Sequence, residues 1–320
     1  MRELRAAVVG VGHLGALHAR KYAELVGVRL CFVIDTDLGR ASELAAQTGA
    51  IALQSHHELA GSVDLASVAV PTVAHYQIAR DLMTAGIDVL LEKPMTASVA
   101  EAHELSKIAR ARGRILQIGH LERFNPAIVR LRTLLNRPRF IECHRLAPFT
   151  ERGTDVDVVL DLMVHDLDVI LSVTTAPVSS LEAVGVAILT DRIDVANARI
   201  RFADGLIANL NSSRVAPRRE RKIRFFQPDA YISLDYEARR IQVYRKEPPP
   251  AGATYPLISA EQIEIGEGDA LRDEVAAFVQ CIETRRIPEV SPEAGLRVME
   301  LSERIVEAIR ETSHEIGAGG

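Results

Sequence analysis

The chain has 320 residues and a mass of 35.0 kDa, enough for about two domains. Hydrophobic residues at 48% and charged residues at 25% match an ordinary globular protein and argue against disordered, collagen-like and coiled-coil classes. The balance of 38 basic against 43 acidic residues, a net −5, offers no general attraction to nucleic acid or a membrane surface.

Cys31, Cys143 and Cys281 are odd in number, far apart and form no CxxC pair, which argues against a disulfide scaffold or a structural zinc. No apolar run approaches the roughly 18 residues of a membrane helix. The first residues faintly imitate a signal peptide, but their apolar stretch Ala6-Ala7-Val8-Val9 breaks at Gly10-Val11-Gly12 and reads as a strand entering a turn. The expected location is the cytoplasm.

Through the first 120 residues, short apolar runs alternate with amphipathic stretches. Strands are expected at 5–9, 29–34, 65–70, 88–91 and 115–118, and helices at 13–26, 38–48, 74–85 and 99–112. Gly27, Gly49, Gly86 and Gly113 each follow a helix, where a left-handed residue closes the last turn. Near-continuous apolar strands alternating with helices imply α/β architecture: a doubly wound parallel sheet of the Rossmann type. After Arg123 the texture changes. Helices are expected at 126–135 and 157–173, then strands at 182–189, 196–202, 206–211, 222–226, 231–235 and 240–244, and two final helices at 271–284 and 292–312. The second part therefore reads as an α+β domain with an open, largely antiparallel sheet, the division falling between residues 1–121 and 122–320.

Gly10-Val11-Gly12-His13-Leu14-Gly15 closes the first strand and opens the first helix. Glycines there permit the tight turn and let backbone approach a pyrophosphate, which the N–H groups of the helix start can hold. Asp35 ends the next strand and suits an adenosine ribose diol while opposing a 2′-phosphate, so NAD is expected over NADP. Asp37 adds to that repulsion, and Arg40, a turn further on, works against it.

At the carboxyl edge of later strands stand Pro71-Thr72-Val73-Ala74-His75 and Glu92-Lys93-Pro94. Asp161 and His165 lie four apart in an otherwise apolar helix, which calls for partners or a cleft. A neutral imidazole suits the base that takes an alcohol proton, and a lysine can hydrogen-bond the same oxygen and stabilise the developing alkoxide. His75 fits contact with cofactor or substrate and fits simple packing at a helix start equally well.

In this order and spacing the residues resemble the Gfo/Idh/MocA family of sugar oxidoreductases along essentially the whole chain. The resemblance implies a Rossmann domain followed by an α/β domain with a large open sheet. It implies NAD as cofactor, contacted by Gly10, Gly12, His13, Leu14, Gly15, Asp35, Pro71, Thr72, His75, Glu92 and Lys93. It implies Lys93 and His165 as catalytic residues and Asp161 as the substrate-binding acid, although Val158-Val159 stands where a glycine pair often precedes that acid.

The stretch Glu122-Arg123-Phe124-Asn125-Pro126 is similar to one in the nucleotide-sugar branch of the family, which makes Arg123 and Asn125 candidate substrate contacts. That branch implies oxidation of a sugar ring hydroxyl, with C3 of UDP-N-acetylglucosamine in amino-sugar and lipid A precursor synthesis as the leading expectation. Free sugars, inositols, UDP-N-acetylglucosaminuronate, or a non-catalytic NAD-binding sensor are the alternatives. The basic run Arg214, Arg218, Arg219, Arg221, Lys222, Arg224 suits either a diphosphate, Arg214 first among the contacts, or a solvated edge strand. Neither His56-His57, adjacent and expected to point apart, nor His165 with Asp166 and Asp168 makes a convincing metal site. Val184, Val186, Ile188, Val195, Ile200, Ile207 and Leu210 are too many for one buried and one wet sheet face, so a homodimer or homotetramer through the second sheet is expected.

Overall fold

The computed structural model describes residues 2–151, 154, 156–249, 251 and 254–317. They form two compact units, residues 1–124 with 269–299 and residues 125–268 with 300–320. The segment 269–299 thus folds with the first unit, where a single linear cut after residue 121 had put it in the second. Its helix turns Val275, Phe278, Val279 and Ile282 into the same core as Ala6 and Val8, and burial of that apolar face outweighs chain order.

The first unit is built on β1 (Leu4–Val9), α1 (His13–Glu24), β2 (Val28–Ile34), α2 (Leu38–Thr48), β3 (Ile51–Leu53), β4 (Leu65–Val68), α3 (His75–Thr84), β5 (Asp88–Glu92), α4 (Val99–Arg112) and β6 (Leu116–Gly119). The six strands are parallel in the order β3-β2-β1-β4-β5-β6. Chain direction across the sheet reverses between β1 and β4, and ligands bind at such a switch point, outside the carboxyl ends of the strands. Gly27, Gly49, Gly86 and Gly113 all take positive φ, as their places after helices require.

The second unit opens with α5 (Pro126–Arg132) and β7 (Phe140–Leu146). A π-helical turn at Val159–Met163 leads into α6 (Val164–Val173). There follow β8 (Val178–Val186), β9 (Val195–Phe202), β10 (Ile207–Ser213), β11 (Glu220–Phe226), β12 (Ala230–Asp235), β13 (Arg240–Glu247) and β14 (Leu257–Glu264). Then come α7 (Ala270–Thr284), which belongs to the first unit, and α8 (Pro292–Gly317), shared between the two. The eight-stranded sheet runs β14-β13-β12-β11-β7-β10-β9-β8 and is antiparallel except where β10 pairs with β7. Strand β7, absent from the expected set, holds the centre.

Alternation sorts this sheet cleanly. Ile141, Cys143, Ala198, Ile200, Ala208, Leu210, Ile223, Phe225, Ile232, Leu234, Ile241 and Val243 point inward and are buried. Ile200 and Leu210, two of the seven apolar residues expected to be too many for one buried face, are among these inward ones. That face instead carries one apolar row in register, Ile207–Phe140–Phe226–Tyr231–Tyr244. Its ring centroids are 5.3, 5.0 and 5.7 Å apart from Phe140 to Tyr244. The next row is polar: Arg199, Asn209, Glu142, Arg224, Ser233 and Gln242.

Candidate active site

In the first unit the glycine turn leaves β1 at the switch point. Gly10 sits at φ 83°, where a Cβ would lie 2.6 Å from the Ala69 carbonyl oxygen, and a Cβ on Gly15 would lie 1.7 Å from the oxygen of Gly10. Neither position admits a side chain. Above Gly12, the N-cap of α1, the space is open and no side chain competes for the first-turn amides. That is the cradle a diphosphate needs. His13 and Leu14 follow it, both exposed at the start of α1.

Asp35 ends β2 and braces the turn: its Oδ2 accepts from Val11 N at 2.9 Å and its Oδ1 from Asp37 N at 2.9 Å. Arg40 Nη1 lies 3.5 Å from Asp35 Oδ2, with its other arm 3.6 Å from Asp37. The acid thus closes β2 beneath the glycine turn, with Arg40 beside it. Asp35→Asn keeps a side-chain acceptor for Val11, removes the charge and leaves Arg40 for a 2′-phosphate. The ratio of NAD to NADP affinity, read by fluorescence titration, is expected to fall at least tenfold, about 1.4 kcal/mol. An unchanged ratio would clear Asp35 of discrimination.

Pro71 and Thr72 open the turn after β4, Pro71 exposed and Thr72 half-buried. His75 goes elsewhere: it is 1% exposed, and its ring lies between the carbonyl oxygens of Pro94 (2.8 Å) and Val70 (2.9 Å). Burial pushes its pKa down, against the pull of those two carbonyls. Both of its ring nitrogens are thus taken up by backbone carbonyls. Glu92 ends β5 and Lys93 follows it, both half-buried, and the Lys93–Pro94 bond is cis.

In the second unit the expected single helix begins as a π turn, Val164 N bonding to Val159 O, so the Asp161–His165 pair spans a change of helix type. Such turns recur at functional sites. Both residues are half-buried. The next residue, Asp166, accepts from Arg145 Nε at 3.0 Å and Nη2 at 2.8 Å, inside the protein and beneath Tyr236. This pair ties α6 to β7 one residue beyond His165. Sequence reasoning missed it, because an inward arginine on a strand carries no local signal.

The basic run dissolves on inspection. Arg214 is 4% exposed, donates to the carbonyls of Val156 and Ile193, and lies 3.5 Å from Asp194. It clamps the interior and is no surface contact for a diphosphate. Arg224 pairs with Glu142, Lys222 with Asp235 and Arg221 with Glu237, which leaves Arg218 and Arg219 as exposed members.

Asp194 itself accepts from the backbone N–H groups of Ile188, Leu189 and Thr190. Burial alone would push its carboxyl up, but these bonds outweigh it and hold the pKa down to about 2. A lowered folded pKa stabilises above the unfolded value of 3.8 and stops doing so as pH falls toward 2. Wild type should therefore exceed Asp194→Asn in thermal midpoint above pH 4 and lose that lead between 3.8 and 2. A lead independent of pH would contradict this.

Arg123 is buried in a 3-10 turn, and Asn125 caps α5 by accepting from Ala127 N at 3.0 Å. Among the described residues, His56, His57 and Asp81 do converge, with the two rings 4.1 Å apart, rather than pointing apart as adjacency suggests. Asp81 there already accepts from Gln77 and Arg80.

Residues 4–120 match the model of the Gfo/Idh/MocA oxidoreductase family, NAD-binding Rossmann fold, and residues 127–233 match that family's C-terminal domain. The chain is 39% identical over 302 residues to the UDP-N-acetylglucosamine 3-dehydrogenase of Acidithiobacillus ferrooxidans, covering 93% of this chain and 95% of that one. This chain belongs to the Gfo/Idh/MocA family. The solved structure of that dehydrogenase, GnnA, superposes with a TM-score of 0.89 at 37% identity, covering 97% of this chain and 98% of its own. Myo-inositol dehydrogenase Hyg17 of Streptomyces leeuwenhoekii is 28% identical over 67% of this chain and 71% of its own. This family member is thus an NAD-binding Rossmann oxidoreductase, and the glycine cradle and Asp35 fit that cofactor. No helix among the described residues is long and apolar enough to cross a membrane.

Proposed function

We propose that this enzyme oxidises C3 of UDP-N-acetylglucosamine to the 3-keto sugar with NAD. The observation that carries this reading is the 39% identity to a UDP-N-acetylglucosamine 3-dehydrogenase over 93% of the chain, both units included.

Bound at that site, NAD would supply the acceptor for the hydride that leaves the ring carbon. His165, as a neutral imidazole, takes the hydroxyl proton. Lys93 donates a hydrogen bond to the same oxygen and stabilises its growing negative charge. Asp161 accepts from a neighbouring hydroxyl and fixes the ring. The Gly10–Gly15 turn and Asp35, with Pro71, Thr72 and Glu92 at the strand edge, are the residues that would hold this cofactor. Arg123 and Asn125 remain candidate substrate contacts, and with Arg214 internal, diphosphate recognition rests on other groups, Arg218 and Arg219 being the exposed remainder.

NADH formation monitored with UDP-N-acetylglucosamine, free N-acetylglucosamine, myo-inositol and UDP-N-acetylglucosaminuronate tests the substrate. UDP-N-acetylglucosamine should give kcat/KM at least a hundredfold above the others, and preference for any of them would overturn the assignment. Three free thiols, Cys31, Cys143 and Cys281, support a reducing, cytoplasmic setting.

The same reading makes the protein a homo-oligomer joined through the outer face of the second sheet. The aromatic row from Phe140 to Tyr244, with Val184 and Val186 half-exposed on the same sheet, supports a two-fold contact. Light scattering is expected to give a multiple of 35.0 kDa at micromolar concentration, and Tyr231→Lys a shift toward monomer. A monomeric wild type would refute this.

A further inference from the structure

Next to Lys93 in the first unit lies a chain of polar side chains in which His18, Ser67 and Tyr22 have no part in cofactor binding or proton transfer. His18, on the second turn of α1, is 1% exposed. Its Nε2 lies 3.0 Å from Glu92 Oε1, and its Nδ1 lies 3.1 Å from Ser67 Oγ on β4. Ser67 Oγ is 2.8 Å from the hydroxyl of Tyr22, one turn further along α1. The other oxygen of Glu92 accepts the backbone N–H of Lys93 at 3.2 Å.

The proton positions follow from what each group can do. The Glu92 carboxylate only accepts, so Nε2 of His18 carries hydrogen. Burial raises the Tyr22 phenol far above its usual range, so it stays protonated and has one hydrogen to give. Tyr22 then donates to Ser67, Ser67 to the bare Nδ1, and His18 to Glu92. Every bond in the chain points at Glu92, and aligned hydrogen bonds reinforce one another. Glu274 of α7 brings a second carboxylate within 4.8 Å of His18 and Glu92.

We propose that His18 is a positioning residue that holds the Glu92 carboxylate and, through it, the backbone of Lys93. The proposal rests on the reading of Lys93 as the alkoxide-stabilising group. A carboxylate beside a lysine in sequence is the natural ion-pair partner of that lysine's ammonium. Tethered to His18 on one oxygen and to the Lys93 amide on the other, Glu92 fixes the backbone from which the Lys93 side chain leaves. On the opposite flank His75 bonds Pro94 O, so the Glu92–Pro94 turn is gripped by a histidine from the helix after β1 and another from the helix after β4. Because α1 also starts at the glycine turn, the same helix sets both the cofactor cradle and the lysine. A displacement of about 1 Å in a reacting group can cost about a hundredfold in rate.

Three variants test this: His18→Leu, which removes the donor; His18→Gln, whose amide N–H can reach Glu92; and Ser67→Ala, a small change that cuts the chain one link back. In ligand-free wild type, ¹⁵N spectra of the labelled histidine rings should show His18 as the Nε2–H tautomer, and Ser67→Ala should disturb that signature. With UDP-N-acetylglucosamine, His18→Leu should lower kcat by about ten- to a hundredfold. KM and the NADH dissociation constant should stay within about threefold, the lysine-dependent limb of the pH profile should move, and His18→Gln should recover most of the rate.

If His18→Leu fails to fold, Ser67→Ala carries the test, with a kcat loss of about threefold or more. An Nδ1–H tautomer, a kcat unchanged in His18→Leu, or a glutamine variant no better than leucine would overturn the proposal. Lys93→Met run alongside separates the two readings. Full turnover there removes Lys93 from the chemistry, whereas an inactive Lys93→Met with a fully active His18→Leu removes only the positioning role.

Discussion

Lys93→Met is expected to lower turnover by about a hundredfold or more while leaving the NADH dissociation constant within a few-fold of wild type, the scale of a single proton-transfer or oxyanion-stabilising group. The cofactor cradle is made by Gly10, Gly12 and Gly15 and braced by Asp35, and none of these bonds involves the Lys93 side chain. Binding and chemistry should therefore separate. His165→Asn should show the same split, and the double variant should cost little more than the worse single one if the two groups act on one oxygen. Near-normal turnover in either single variant would take that residue out of the reaction.

The second large effect concerns stability. Arg145→Leu would strand the Asp166 carboxylate in the interior of the second unit, where both partners are now less than 5% exposed. Losing one member of such a pair costs about 3–5 kcal/mol, because the desolvated charge left behind has no counterion. The expected result is a fall of many degrees in the thermal midpoint, or a failure to accumulate folded protein. Replacing both, Arg145→Leu with Asp166→Leu, should recover much of the loss, since two apolar side chains of similar volume impose no desolvation penalty. If the single variant unfolds at the wild-type temperature, the pair does not anchor α6.

The first unit was legible because parallel strands buried on both faces leave unbroken apolar runs, and the helix-ending glycines mark where each run hands over. Gly10–Gly15 and Asp35 belong to that local grammar and sit where expected. The second unit hides its logic in long-range pairs. Strand β7 reads Phe-Ile-Glu-Cys-His-Arg-Leu, with charge on both faces, and its inward Arg145 makes sense only beside Asp166, 21 residues away.

Arg214 looks like one of six equivalent cations until Asp194 and two backbone carbonyls claim it. The π turn at Val159–Met163 lies in a run so uniformly apolar that helical periodicity cannot tell i→i+4 from i→i+5 bonding. His75 shows the same limit: a histidine at the start of a helix beside a ligand edge fits contact and packing equally, and only the tertiary fold reveals two carbonyls on its ring nitrogens.

A 3-dehydrogenase is defined by which hydrogen leaves which carbon. UDP-N-acetylglucosamine deuterated at C3, incubated with the enzyme and NAD, should give NADH carrying deuterium at nicotinamide C4, with a primary isotope effect on turnover wherever hydride transfer limits the rate. Substrate deuterated only at C4 or C6 should give unlabelled NADH. Deuterium in the cofactor from either of those positions, or unlabelled NADH from the C3-labelled sugar, would contradict the assignment of this enzyme as a 3-dehydrogenase.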